Sequence, residues 1–247
     1  MDRSALITGA NGGVGRALAQ VLSARGWRLA LVARDATARD KLDAPWIEAD
    51  VSTPEGAARA LDEAAAILGG APAALAHCVG STLIAPIART RAEQYRAVLA
   101  ANLDSAFYTA QAWLGALAAA RRPGAAVFFS SVVAGIGVAN HAAIAAAKGG
   151  VESLVRALAA DHAGQGIRIN AIAPGLLRSP MTARLLATES SARQIAAQYP
   201  LGRHGEASEA AAAAAWLLSE EAGWISGQVL HLDGGFSAVR PLVRAAG

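Results

Sequence analysis

Thr8-Gly9-x-x-x-Gly13-x-Gly15 stands near the start of the chain, between an apolar run and a helical pattern. Glycines at this spacing permit a tight turn and let backbone approach a pyrophosphate. The helix that follows offers free N–H groups and a positive dipole end to phosphate. A second chemical signal follows about twenty residues on, at Val32-Ala33-Arg34-Asp35. A site for NAD places an acidic side chain there to hold the ribose 2′-hydroxyl. Ala33 leaves that position empty, and Arg34 suits a 2′-phosphate, so the pattern favours NADP(H) over NAD(H). The competing reading makes Arg34 a solvated loop residue and gives the ribose to Asp35. A third signal is His141, an imidazole at the start of a helical stretch, which titrates near neutral pH and can act as a general acid.

The elements that must position these groups alternate strand and helix, the pattern of parallel βαβ units. Strands are expected at Ser4–Thr8, Leu29–Val32, Trp46–Asp50, Ala73–Cys78, Ala125–Ser130, Ile167–Ala173 and Gln228–Leu232. Helices are expected at Gly13–Ala24, Pro54–Leu68, Leu103–Ala120, Ala142–Ala160 and Ser208–Leu218. Thr53 is the expected cap of the second helix, with Pro54 at its first position. Ala36–Leu42 has room for about two helical turns. The whole predicts one α/β domain over residues 1–247, a Rossmann-type, doubly wound parallel sheet of about seven strands with helices on both faces. Residues 176–200, loosely helical between Pro174 and Pro200, read as a lid over the substrate side.

Composition narrows the class. Hydrophobic residues make up 54% of the 247, much of it alanine, which forms helix well but adds little core volume. The net charge is +3, and the arginines are scattered with no basic run or interleaved aromatics, which argues against a nucleic-acid partner. No apolar run reaches the ~20 residues of a membrane span. Cys78 is the sole cysteine, so an intrachain disulfide or a cysteine-based zinc site is excluded. No metal site is expected. These features, with a strand that starts near Met1, favour the cytoplasm.

Further motifs appear at mid-chain. Ser130-Ser131 is followed by Ile144-Ala145-Ala146-Ala147-Lys148, and Asn102 stands in Leu99-Ala100-Ala101-Asn102-Leu103. Asp50-Val51, Pro174-Gly175-x-x-x-Ser179 and Leu232-Asp233-Gly234-Gly235 complete a set spread over almost the whole chain. With the glycine turn, this set resembles the short-chain dehydrogenase/reductase family. The resemblance implies an oxidoreductase that moves hydride between a nicotinamide cofactor and a carbonyl or secondary alcohol. It assigns the cofactor to Gly9, Asn11, Gly13, Val14, Gly15, Arg34, Asp50, Val51, Gly80, Lys148, Pro174, Gly175 and Ser179. It assigns the chemistry to Asn102, Ser131 and Lys148, and it implies homodimers or homotetramers built through the long helices. Lys148 is one of only two lysines in an arginine-rich chain, which suits a position where a compact ammonium is needed.

Two departures stand out against the family pattern. The family's catalytic tyrosine precedes the lysine by four residues, where this chain has Ile144. An isoleucine has no proton to give. The family's Asn-Asn-Ala-Gly stretch appears as His77-Cys78-Val79-Gly80, keeping only the glycine. For His77, packing at a strand end is the expected role. His141 is the leading substitute donor, with Lys148 acting through a water and Tyr199 swinging in from the lid behind it. Tyr95 and Tyr108 read as structural. Three functions stay open: a working oxidoreductase with an atypical donor, a catalytically inactive nucleotide-binding homologue serving as sensor or structural partner, and hydride-free chemistry such as dehydration or isomerisation.

Overall fold

A computed structural model describes residues 2–35 and 42–241. The expected turns of helix at Ala36–Leu42 fall, but for Leu42, outside the described residues, as does the tail beyond 241. Strand β1 (Ser4–Thr8) leads through the glycine turn into α1 (Gly13–Ala24), then β2 (Arg28–Ala33), β3 (Trp46–Glu48), α2 (Pro54–Leu68) and β4 (Ala74–His77). Helix α3 (Ala92–Leu99), a π-turn (Ala100–Asp104) and α4 (Ser105–Ala120) follow, then β5 (Gly124–Phe129), the short α5 (Val132–Gly135) and α6 (Ala142–His162). Strand β6 (Ile167–Pro174), β7 (Leu177–Arg178), α7 (Glu189–Ala196), β8 (Gly205–Glu206), α8 (Ala207–Leu218) and β9 (Val229–Leu232) complete the order.

Seven strands form one parallel sheet in the order β3-β2-β1-β4-β5-β6-β9, the doubly wound arrangement expected from the alternation. Successive strand residues face opposite layers. Leu6 joins a core with Ile47, Leu61, Trp113, Phe128 and Ile169, covered by α2, α4 and α6. Its neighbours Ala5 and Ile7 join the other core, with Leu18, Leu22 and Leu217 from α1 and α8. The alanines of α8 (Ala210, Ala211, Ala214 and Ala215) are buried there, where small side chains let helix and sheet approach closely.

Local chemistry sets the helix ends. Thr53 caps α2 by accepting the Gly56 N–H at 3.1 Å, Pro54 takes the first position, and Gly69 closes the helix at φ +74°. The expected helix at Leu103–Ala120 is part of a longer unit. Polar α3 precedes it, and the π-turn interrupts the register at Asn102. The sheet reverses its winding at β1, which lies between β2 and β4, so the carboxyl ends of β1 and β4 open on the crevice where such sheets bind ligands.

Candidate active site

The glycine turn is built by close approach. Gly9 sits at φ +66°, and a Cβ there would lie 2.8 Å from the backbone of Cys78 and Val79. A Cβ on Gly15 would lie 2.3 Å from the Gly9 carbonyl oxygen. The turn is tied by Gly12 N–H to Gly9 O (2.9 Å), Ala10 N–H to Val32 O (3.0 Å) and Cys78 N–H to Thr8 O (3.0 Å). Helix α1 opens with no side-chain cap and no acidic residue in its first turn, so backbone N–H groups and the positive dipole end face the crevice. Asn11 and Val14 lie in this turn, and the Asn11 carbonyl accepts from Arg16 at 3.4 Å. Ser179 closes the turn from above, its Cβ 2.8 Å from where a Gly13 side chain would begin. Pro174 ends β6, and Gly175 lies beneath the ring of Tyr199.

At the adenosine end of the crevice, Arg34 is exposed just after β2, and Val51 is buried. Asp50 accepts from the Ser52 hydroxyl (2.7 Å) and the Ser52 N–H (3.0 Å). Those bonds, joined by the charge of Arg34, hold its carboxyl below the usual range. These residues fit a dinucleotide: an uncapped helix start with no room for side chains, and an exposed arginine with a carboxylate near it after the second strand.

The chemical end converges on Gly80. A Cβ there would lie 3.0 Å from Asn102 Oδ1 and 3.4 Å from Lys148 Nζ. Asn102 is buried in the π-turn. Its Oδ1 accepts the Ser81 N–H (3.2 Å), and its Nδ2 donates to Ser81 Oγ (3.1 Å) and the Val98 carbonyl (2.9 Å). Lys148 Nζ donates to the Phe129 carbonyl at 2.7 Å. Burial pushes its ammonium down to about 8. Burial raises the neighbouring Cys78 thiol to about 12, so it is not a thiolate nucleophile.

Ser131 caps α5, its Oγ accepting the Val133 N–H at 3.5 Å and keeping its own proton to donate. Ser130 secures β5 to α6 through Glu152 (2.8 Å) and the Lys148 carbonyl (3.3 Å). Ile144, one turn before Lys148, is 4% exposed and packs with Val98, Ala143 and Ala147, against Leu83, Leu99 and Val133. His141 caps α6 by position and is partly exposed. Its hydrogen bond goes from Nδ1–H to the Ala139 carbonyl at 2.7 Å, not to Asn102, Ser131 or Lys148. That bond sets Nδ1 as the hydrogen-bearing nitrogen of the neutral ring.

Tyr199 is held away from this centre. Its hydroxyl accepts the Leu176 N–H at 2.7 Å and its ring packs on Phe236 with centroids 5.0 Å apart. It anchors the neck of residues 176–200, where β7 pairs with β8. A cavity of about 280 Å³ lies at that neck, lined by Tyr199, Arg203, Glu209 and Asp233 and not by Ser131 or Lys148. Sequence reasoning did not reach Ser81, whose only signal is its place after Gly80. Among the described residues no three His, Cys, Asp or Glu side chains cluster as metal ligands, and no helix is long and apolar enough to cross a membrane.

Comparison with known proteins agrees with this geometry. Residues 9–237 match the family model described as "Enoyl-(Acyl carrier protein) reductase". Cis-4-hydroxycyclohexanecarboxylate dehydrogenase of Sinomonas cyclohexanicum is 35% identical over 246 residues, covering 96% of this chain and 98% of that protein. Inactive 2-(S)-hydroxypropyl-CoM dehydrogenase 2 of Xanthobacter autotrophicus is 36% identical over 233 residues, covering 87% and 96%. A solved short-chain type dehydrogenase/reductase from Mycobacterium ulcerans superposes with a TM-score of 0.90 at 28% identity, covering 97% of this chain and 91% of that one.

Proposed function

The chain belongs to the short-chain dehydrogenase/reductase family, and from that premise we propose that it is an NADP(H)-dependent oxidoreductase acting on a carbonyl or secondary alcohol of a small molecule, with His141 in the donor's place. The observation that carries this reading is the convergence of Asn102 and Lys148 on Gly80, at the crevice the glycine turn opens. When bound, the dinucleotide supplies or accepts the hydride. Gly9, Asn11, Gly13, Val14 and Gly15 hold its pyrophosphate, Arg34 the 2′-phosphate, Asp50 and Val51 the adenine side, and Pro174, Gly175 and Ser179 the nicotinamide side. Lys148 holds the nicotinamide ribose beside Gly80.

In reduction, negative charge grows on the substrate oxygen. Ser131 Oγ–H stabilises it by hydrogen bonding. His141, protonated, gives the proton from Nε2, since Nδ1 is committed to the Ala139 carbonyl. Asn102 ties its π-turn to Ser81 and keeps Oδ1 beside Gly80. Residues 176–200 cover the substrate as a lid hinged at the β7–β8 neck. The relative acting on a ring-borne secondary alcohol makes small cyclic alcohols and ketones the first substrate class to try. We place a homodimer or homotetramer contact on α4 and α6, where Phe107, Leu114, Leu154 and Leu158 line a groove of about 260 Å³.

A second reading rests on Ile144 and on the relative named as inactive: a nucleotide-binding homologue that performs no hydride transfer. NADPH consumption across a panel of small cyclic ketones separates the two. The oxidoreductase reading expects turnover that His141→Ala lowers by about 10²–10⁴-fold with NADPH affinity unchanged. Turnover that survives this substitution removes His141 from the donor's place, and no turnover with any ketone supports the inactive homologue.

A further inference from the structure

His77 lies at the end of β4, 2% exposed, between two hydroxyls. Its Nδ1 is 2.9 Å from Thr8 Oγ and its Nε2 is 3.1 Å from Ser105 Oγ. The directions of these bonds follow from proton counting. Ser105 Oγ donates its one proton to the Ala101 carbonyl at 2.9 Å. It can therefore only accept from the imidazole, so Nε2 carries the hydrogen. Nδ1 is then the acceptor, and Thr8 Oγ–H donates to it. Burial, aided by the nearby Lys148 charge, pushes the imidazole down to about 3, so the ring is neutral and the pattern holds across the working pH range.

The result is one directed chain, from Thr8 Oγ–H to His77 Nδ1, from His77 Nε2–H to Ser105 Oγ, and from Ser105 Oγ–H to Ala101 O. Thr8, Ser105 and His77 are all buried. Its ends are significant. Thr8 immediately precedes Gly9 of the dinucleotide turn, and Ala101 immediately precedes Asn102. The Ala101 carbonyl takes this bond because the π-turn has shifted the backbone pattern. Ser105 N–H reaches back to Ala100 O, five residues away, and the Ser105 hydroxyl serves the Ala101 carbonyl that the same N–H would serve in an α-helix. A fully satisfied buried network of this kind is stiff, because each broken link strands a polar group away from water.

We propose that His77 is a positioning residue that joins the dinucleotide turn to the π-turn carrying Asn102, so that the two move as one unit. The role in catalysis rests on the oxidoreductase reading, but the mechanical link does not. Hydrogen-exchange mass spectrometry on the full chain tests the link from both ends, first with two variants that spare His77 itself. Thr8→Val keeps the shape at the turn and removes the donor to Nδ1. It should speed exchange over residues 98–105 by about tenfold, although the hydrogen bond it removes goes to His77 and not to them. Ser105→Ala should do the same over residues 9–15 and weaken NADPH binding about threefold, while His77→Phe should loosen both segments together. Loosening confined to the mutated segment in Thr8→Val and Ser105→Ala overturns the proposal. If the wild-type chain binds no NADPH, the oxidoreductase reading falls, while the exchange data still decide the link.

Discussion

At the β1–α1 turn the working groups are backbone: uncapped N–H groups at a helix start, exposed because glycine leaves no side chain in the way. At the start of α6 the groups proposed to act are side chains, Lys148 and His141, with Ile144 between them. The two regions tolerate change differently. The turn is packed so closely against Cys78, Val79 and its own Gly9 carbonyl that a methyl group disrupts it. On α6, Ile144, which we read as standing in the donor's place, packs into a small apolar cluster within a regular helix. Backbone-built function is locked to the fold, whereas side-chain chemistry on a helix face can be exchanged under an unchanged fold.

That contrast is broken most severely at Gly15. Gly15→Ala places a methyl 2.3 Å from the Gly9 oxygen. NADPH affinity should fall at least ~100-fold, read by calorimetry. Affinity within a few-fold of wild type would show that the turn is slack. Ile144→Tyr probes the other region. The larger ring must displace Leu83, Leu99 or Val133, at a cost of about 1–3 kcal/mol in urea unfolding. In return, a phenol beside Lys148 should raise ketone reduction about 100-fold. A folded variant that reduces no ketone would identify the chain as a binding protein.

Smaller effects sharpen the picture. Arg34→Ala should weaken NADPH about tenfold and leave NADH unchanged. Equal affinities before and after would return the ribose to Asp35. The last effect is on pH. Burial holds Lys148 near 8 in the folded chain, below its value in the unfolded chain. Between those values the unfolded chain binds a proton that the folded chain does not. Stability should therefore rise with pH over that window, with a slope of up to about 1.4 kcal/mol per pH unit. Lys148→Met should flatten the urea-unfolding slope between about pH 8 and about pH 10. An unchanged slope would place the titration elsewhere.

The sheet was legible because its signals are local. Apolar strands and the Thr53-Pro54 helix start declare themselves within a few residues, and the strand ends moved by no more than two positions. The π-turn was not legible, because beside its local bonds it is held by tertiary partners: Ser81 holds Asn102, and His77 on β4 holds Ser105. Helix α3 precedes it with charged and polar residues that blur the apolar period. The neck of residues 176–200 rests on two-residue strands and on one tyrosine hydroxyl, too short for any pattern to show. Within the site, the glycines announced themselves by spacing. His77 announced only that it departs from the family pattern, and its role required knowing which hydroxyls flank it.

Calorimetric titration of the purified chain with NADPH, NADH and their oxidised forms tests the dinucleotide crevice most directly. Saturable binding is expected, with NADPH preferred over NADH by about tenfold or more through Arg34. No binding by any of the four would mean that the turn, with His77, Cys78 and Val79 behind it, does not admit a dinucleotide, and the oxidoreductase assignment would be withdrawn.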